Sequence, residues 1–254
     1  MSEISNVMMT AGLPGDPPVR FGVPIADLAA PLYAVIGTLA AVVQTDRTGV
    51  GQHVDVSMLG TLTSLVASEP FDALEEVGIP LRTGQTVPRL APFGLFEAKD
   101  GWVAVCAPTD ALANTVLAAI ERLDLAEDPR FSRRDQRVAN AEELHELIAE
   151  WTAGRTVEEA LVSFKTHGVP AGPVRKTADA VRDPRVLARG EVVPLEHPVH
   201  GVQRDVYGAG VPILMSGSDT SLDRPAPYLG EHTATVLKNF LGYTPEEIAE
   251  VSGR

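Results

Sequence analysis

A single cysteine, Cys106, rules out any internal disulfide framework in this chain and suits a reducing compartment. Positive charge is also scarce. Against 34 Asp and Glu there are 21 Lys and Arg, for a formal net charge of −13. That balance argues against nucleic acid and anionic membrane as principal partners, since both need a basic surface. No basic, glycine-rich cradle for phosphates is present, and the first ten residues carry neither the basic cluster nor the apolar segment of a signal peptide. The uncharged run from Leu28 to Val43 is shorter than the ~20 residues that cross a bilayer and contains Pro31 and Gly37. It is expected to be a buried helix. His53, His145, His167, His197 and His200 show no metal-ligand spacing with Cys or carboxylates, and Pro198 and Gly201 put the last two in a loop. No metal is expected. These absences describe a cytoplasmic protein with no nucleic-acid or membrane partner.

What is present is a folded chain: 44% hydrophobic over 254 residues excludes extensive disorder. Residues 12–22 form a Gly/Pro-rich loop. Leu32, Val35, Ile36, Leu39, Val42 and Val43 then recur at helical spacing, and the helix stops near Arg47-Thr48-Gly49. Alternation over Gln52–Ser57 predicts a short strand, and Met58–Ala67 predicts another helix. After a Gly/Pro-punctuated stretch at 78–92, Phe93–Val105 reads as a hairpin turning at Lys99-Asp100-Gly101, the Asp-Gly pair suiting positive φ angles. Cys106 ends its second, wholly apolar strand and is expected to be a buried structural thiol. Trp102 and Trp151 are expected in the core. Helices follow at about 110–123, 140–152 and 156–167. The middle one sets Glu142, Glu143, Glu146 and Glu150 outside and Leu144, Leu147, Ile148 and Trp151 inside. A strand-rich tail at 191–214 and a last helix after Gly230-Glu231-His232-Thr233 complete the pattern, with His232 read as a polar capping residue.

Asp27 stands alone at the head of the long helix, the only charge there before Asp46. Unpaired backbone N–H groups and the helix macrodipole stabilise an anion in a first turn, and apolar neighbours that strip water from a carboxylate make it a better nucleophile. The bland alternative is an N-cap.

The segments Val19-Arg-Phe-Gly-Val-Pro-Ile-Ala-Asp27-Leu-Ala, Ile36-Gly-Thr-Leu-Ala-Ala41 and Arg47-Thr-Gly-Val-Gly-Gln-His-Val-Asp-Val-Ser57 resemble, in this order, the family III CoA-transferases. This is the formyl-CoA/carnitine-CoA transferase family of the alpha-methylacyl-CoA racemase superfamily. Asp100-Gly-Trp-Val103, Glu127-Asp-Pro-Arg-Phe131, Gly168-Val-Pro-Ala-Gly-Pro-Val174, Asp183-Pro-Arg185 and Leu229-Gly-Glu-His-Thr233 extend the resemblance over nearly the whole chain. It implies an α/β fold made of a partial large Rossmann-like domain plus a smaller α+β domain, of the interlocked type. Residues 1–77 would be the large-domain segment with the nucleophile, 78–92 a linker, 93–190 the small domain and 191–254 the return segment. The resemblance makes Asp27 the nucleophile that exchanges CoA between an acyl-CoA and a carboxylic acid through a covalent aspartyl intermediate. It also places Gly84 and Gln85, in Arg82-Thr-Gly-Gln85, where relatives carry a glycine-rich loop over the reacting aspartate; a plain turn is the alternative. No tightly bound cofactor is implied, only coenzyme A thioester as substrate.

Members of that family are longer, and this chain starts almost where their second half begins. A homodimer, or a hetero-oligomer with a subunit supplying the N-terminal half, is therefore expected. Without that complement the apolar helix should be exposed and the chain should self-associate. Two further readings stand beside transfer. One is 2-methylacyl-CoA racemisation, against which Leu28-Ala29-Ala30 replace the glycines that tend to follow the aspartate in racemases. The other is a non-catalytic or truncated subunit.

Overall fold

The computed structural model describes residues 5–87, 89–197, 200–221 and 226–252. It divides into two compact units, Met1–Val174 and Arg175–Arg254. The first holds α1 (Ser5–Met8), α2 (Ile25–Thr48), α3 (Met58–Val66), α4 (Phe71–Glu76), β1 (Thr86–Val87), β2 (Leu90–Ala98), β3 (Gly101–Cys106), α5 (Asp110–Ala119), α6 (Arg134–Ala139), α7 (Ala141–Ala153), α8 (Val157–Thr166) and β4 (Ala171–Pro173). The second holds α9 (Thr177–Ala180), α10 (Pro184–Ala188), β5 (Val192–His197), β6 (Gly201–Ala209), α11 (Thr233–Leu241) and α12 (Pro245–Val251). The fold is mixed α/β, and the described strands pair antiparallel, in the order β1-β2-β3-β4 and as the hairpin β5-β6.

The long helix begins at Ile25 after Pro24 and ends where Gly49 adopts φ 72°, its N–H returning to Thr45 O at 2.8 Å. A left-handed residue is the common helix terminator, and glycine takes it without a Cβ penalty. Only Ala26 and Ala30 are buried, where α2 meets α3 and Thr61 and Leu62 are covered in turn. The opposite face lies open: Leu32 and Ile36 are each 65% exposed, and Val35, Leu39, Val42 and Val43 are exposed with them. The helix is thus not buried by this chain. At 24 residues it also exceeds the uncharged run, and by length and composition alone it could cross a membrane. The expected strand at 52–57 does not form. No described strand pairs with it, and the segment runs beside α2 instead, where a Cβ at Gly37 would come within 2.9 Å of Val54 Cγ1.

The core of the first unit lies on one face of the four-stranded sheet. Phe96, Val103 and Val105 meet Val116 and Leu117 of α5, Leu144 and Ile148 of α7, and Ala160 and Phe164 of α8. Glu142, Glu143, Glu146 and Glu150 face outward, as the helical spacing predicts. Asp100 forms the β2–β3 turn, but neither it nor Gly101 has positive φ. Its carboxylate instead accepts the Val157 N–H at 2.7 Å and so secures the start of α8. Trp151 packs at the core edge, with Arg155 stacked 4.0 Å over its ring. Trp102, expected in the core, lies half-buried on the opposite sheet face, because its strand neighbours Val103 and Val105 take the inward positions.

Arg137 is 0% exposed, and its guanidinium donates to Ala91 O at 3.0 Å, Phe131 O at 3.0 Å and Asp110 Oδ1 at 2.7 Å. It joins the start of β2, the loop before α6 and the first turn of α5. His145 on α7 accepts the Phe93 N–H through Nε2 at 3.3 Å, and its ring meets Phe96 edge-on.

In the second unit Asp183 is buried. It accepts from Arg185 N–H, from the Arg185 guanidinium and from Arg175, which hold its carboxyl well below the usual range. The tail forms the β5–β6 hairpin within the expected 191–214 stretch. One helix more than expected follows: α12 starts from a capping box between Thr244 and Glu247, with Pro245 at its first position.

Replacing Arg137 by Met should lower stability by about 2–4 kcal/mol, since two carbonyls lose their donors inside the fold while the exposed Asp110 carboxylate turns to water. Equilibrium urea unfolding would register this as a fall in midpoint. Burial pushes the His145 ring down to about 4. Its folded value lies below the ordinary 6.5, so the stability gained from neutral His145 is complete above pH 6.5 and drains away as pH falls toward 4. Urea unfolding at pH 7 and pH 4.5 should differ by up to about 2–3 kcal/mol from this group, and His145→Gln, neutral throughout, should flatten that slope.

Candidate functional site

Asp27 is the third residue of α2, within the first turn and not at the N-cap, which is Pro24. The N-cap reading is thereby corrected. Pro24 offers no side-chain acceptor, so the first-turn N–H groups keep no side-chain cap, and Asp27 is the acidic group set among them. Its carboxylate is exposed and makes no hydrogen bond or ion pair among the described residues. An unpartnered carboxylate at a helix N-terminus keeps both oxygens available for reaction.

Gly84 and Gln85 form a turn just before β1. Gly84 has φ +66°, and its N–H donates to Gly12 O at 2.9 Å. Arg82 donates to Pro17 O at 3.0 Å, and Leu95 N–H donates to Gln85 O at 2.9 Å. The turn is therefore tied on one side to the loop leading into α2 and on the other to β2. A further tie is the bidentate pair of Arg89 with Glu69. Because the Gly84 N–H is already engaged, Gln85 is the member of the pair with donors to offer a ligand.

Beneath this turn lies a cleft of about 590 Å³ on the sheet face turned away from the core. The register sets its floor: Phe93 stands opposite Cys106, and Leu95 opposite Ala104, which in turn stands opposite Gly172. Directly opposed residues share a sheet face. The turn itself and Pro170 form the rim. Cys106 is exposed here, which corrects its expected burial. The run around it is apolar on both sheet faces, and composition could not show that one face was left uncovered. The signal was the register, which no single strand contains.

A second hollow of about 350 Å³ on the other flank of Gln85 and Thr86 is bordered by Glu142, His145 and Glu146. His232 occupies the N-cap position of α11, yet its ring makes no capping hydrogen bond and lies 4.0 Å from Glu231. The His197 and His200 rings stack 4.6 Å apart. Among the described residues no three His, Cys, Asp or Glu side chains converge as metal ligands.

The description CoA-transferase family III matches residues 1–233, and the chain belongs to that family. It is similar to a succinyl-CoA:mesaconate CoA-transferase of Haloarcula hispanica, 36% identical over 92% of this chain and 58% of that enzyme. It is also similar to a succinyl-CoA–D-citramalate CoA-transferase of Chloroflexus aurantiacus, 29% identical over 99% of this chain and 62% of that enzyme. Among solved structures, a CAIB/BAIF family protein from Brucella suis superposes with a TM-score of 0.69 at 30% identity, covering 92% of this chain and 60% of its own. The chain thus spans about three-fifths of the length of such relatives.

Gly84→Ala should lower stability by about 1 kcal/mol, the cost of an L-residue at positive φ. The added Cβ also comes within 2.6 Å of Leu13 Cδ2, but that is the free end of an exposed side chain and can turn aside. Thermal unfolding would show a small drop, and a loss of several kcal/mol would mean the turn carries more of the fold than its contacts suggest.

Proposed function

We propose that this chain carries the nucleophile of a CoA-transferase that moves coenzyme A between an acyl-CoA and a carboxylic acid. The observation that carries the reading is the unpartnered Asp27 carboxylate in the first turn of α2, within a chain of this family. One Asp27 oxygen attacks the thioester carbonyl, the C–S bond breaks, and CoA leaves as the thiolate with an acyl-aspartyl anhydride behind it. The thiolate then attacks the Asp27 carbonyl, releasing the donor acid as its carboxylate and leaving an aspartyl-CoA thioester. An acceptor carboxylate attacks that thioester, CoA thiolate departs again, and a new anhydride forms. Attack of the thiolate on the acceptor's carbonyl delivers the product acyl-CoA and frees Asp27. Each step exchanges activated carboxyl groups, so no external energy source and no tightly bound cofactor enters.

Gln85, held by the Gly84 turn, would offer donors to the oxygen that gains charge in these steps and keep water from the anhydride. The exposed face of α2 fits burial by a homodimer mate or by a subunit supplying the N-terminal half. The leucines, the valines and Ile36 along it suit protein packing, and the reading places the enzyme in the cytoplasm. Named relatives that act on succinyl-CoA and small dicarboxylic acids support transfer over racemisation.

In the assembled enzyme Asp27→Asn should lower CoA transfer by about a thousandfold or more, the scale expected on losing a covalent nucleophile. Hydroxylamine added with acyl-CoA should convert position 27 of the unaltered protein to a hydroxamate, read by mass spectrometry. Full turnover by the Asn variant would end the covalent reading. Exchange of the α-proton without hydroxamate would favour racemisation instead.

A further inference from the structure

The cleft under the Gly84–Gln85 turn has a chemical character that bears on substrate choice. No charged side chain lines it among the described residues, and its polar groups are Gln85, Thr86 and the Cys106 thiol. The hollow on the other flank of the turn supplies no cation either: its ionisable groups are Glu142, Glu146 and His145, and burial keeps the last neutral near pH 7. A carboxylate placed on either side would be desolvated without a partner or set beside two like charges. At the centre of its floor stand two small residues, Ala104 and Gly172. A Cβ added at Gly172 would meet nothing within 4 Å, so the space above the Leu95–Ala104–Gly172 row is open, within the size range of small-molecule pockets.

From these observations we infer that the cleft seats the acyl chain of the thioester and selects an uncharged, short or branched acyl group over a dicarboxylic one. This rests on the proposed role of Gln85 beside the reacting carbonyl. It departs from the succinyl specificity in the names of the relatives. The register accounts for the shape: alanine and glycine in the central row leave depth, while Phe93, Leu95 and Pro170 give apolar sides.

Cys106 is the chain's one cysteine and lies exposed in the cleft, so its alkylation reports occupancy. The test measures the rate at which N-ethylmaleimide modifies the full chain, by intact mass, with butyryl-pantetheine or succinyl-pantetheine present at equal concentration. Butyryl-pantetheine should slow alkylation by about threefold at twice its dissociation constant. Succinyl-pantetheine should bind at least about tenfold more weakly, as an unpaired carboxylate in an uncharged site requires. Gly172→Val should abolish the protection, read as the ratio of that variant's own alkylation rates with and without probe, while the circular dichroism spectrum stays unchanged. Ala104→Val serves the same purpose should the first variant not fold. Equal or stronger protection by the succinyl probe, protection by neither probe, or protection that survives both filled-cleft variants overturns the inference. Asp27→Asn should keep the protection intact, so failure of the nucleophile assignment and failure of the cleft assignment give different results.

Discussion

The buried guanidinium of Arg137 is the constraint around which the sheet domain is arranged. A charge taken fully out of water is tolerated only where geometry satisfies it, and here two carbonyls and a carboxylate on three different segments do so. That requirement fixes where β2 starts relative to α5 and α6. The start of β2 in turn sets the register with β3 and β4, and hence which side chains stand together on the outer face. The outer-face cleft is therefore a downstream product of an interaction on the far side of the sheet.

Three ties carry this order outward to the helical segment. Gly84 holds Gly12, Arg82 holds Pro17, and Arg89 holds Glu69. None of them alone is strong, since exposed hydrogen bonds and ion pairs contribute little each. Their value lies in position: the first two hold the loop that leads into α2 and the third holds the segment after α3, so the turn carrying Gln85 and the loop leading to Asp27 belong to one connected framework.

Much of this was legible in the residues themselves. Helical spacing in 140–152 located α7 and its two faces, because amphipathic periodicity survives whatever the helix packs against. The αL glycine after α2 and the hairpin at Asp100 were equally visible, although the aspartate serves α8 and not a positive φ angle. The failures share a cause. Gln52–Ser57 alternates like a strand, but alternation cannot supply a pairing partner. Cys106 and Trp102 sit in an apolar run whose outer face is left uncovered, a property of the assembly of strands. Asp27 stood out because one charge in an apolar helix is conspicuous locally. The cleft did not, because Ala104 and Gly172 are meaningless singly and acquire their role only side by side.

The open flank of α2 has a thermodynamic consequence. A 24-residue helix held along a single line of alanines owes its remaining stability to whatever covers the other side, and binding to the folded form alone adds to stability by mass action. Under the proposed assembly, the melting temperature of this chain would depend on its own concentration and on its complement's, and no single folding free energy would describe it.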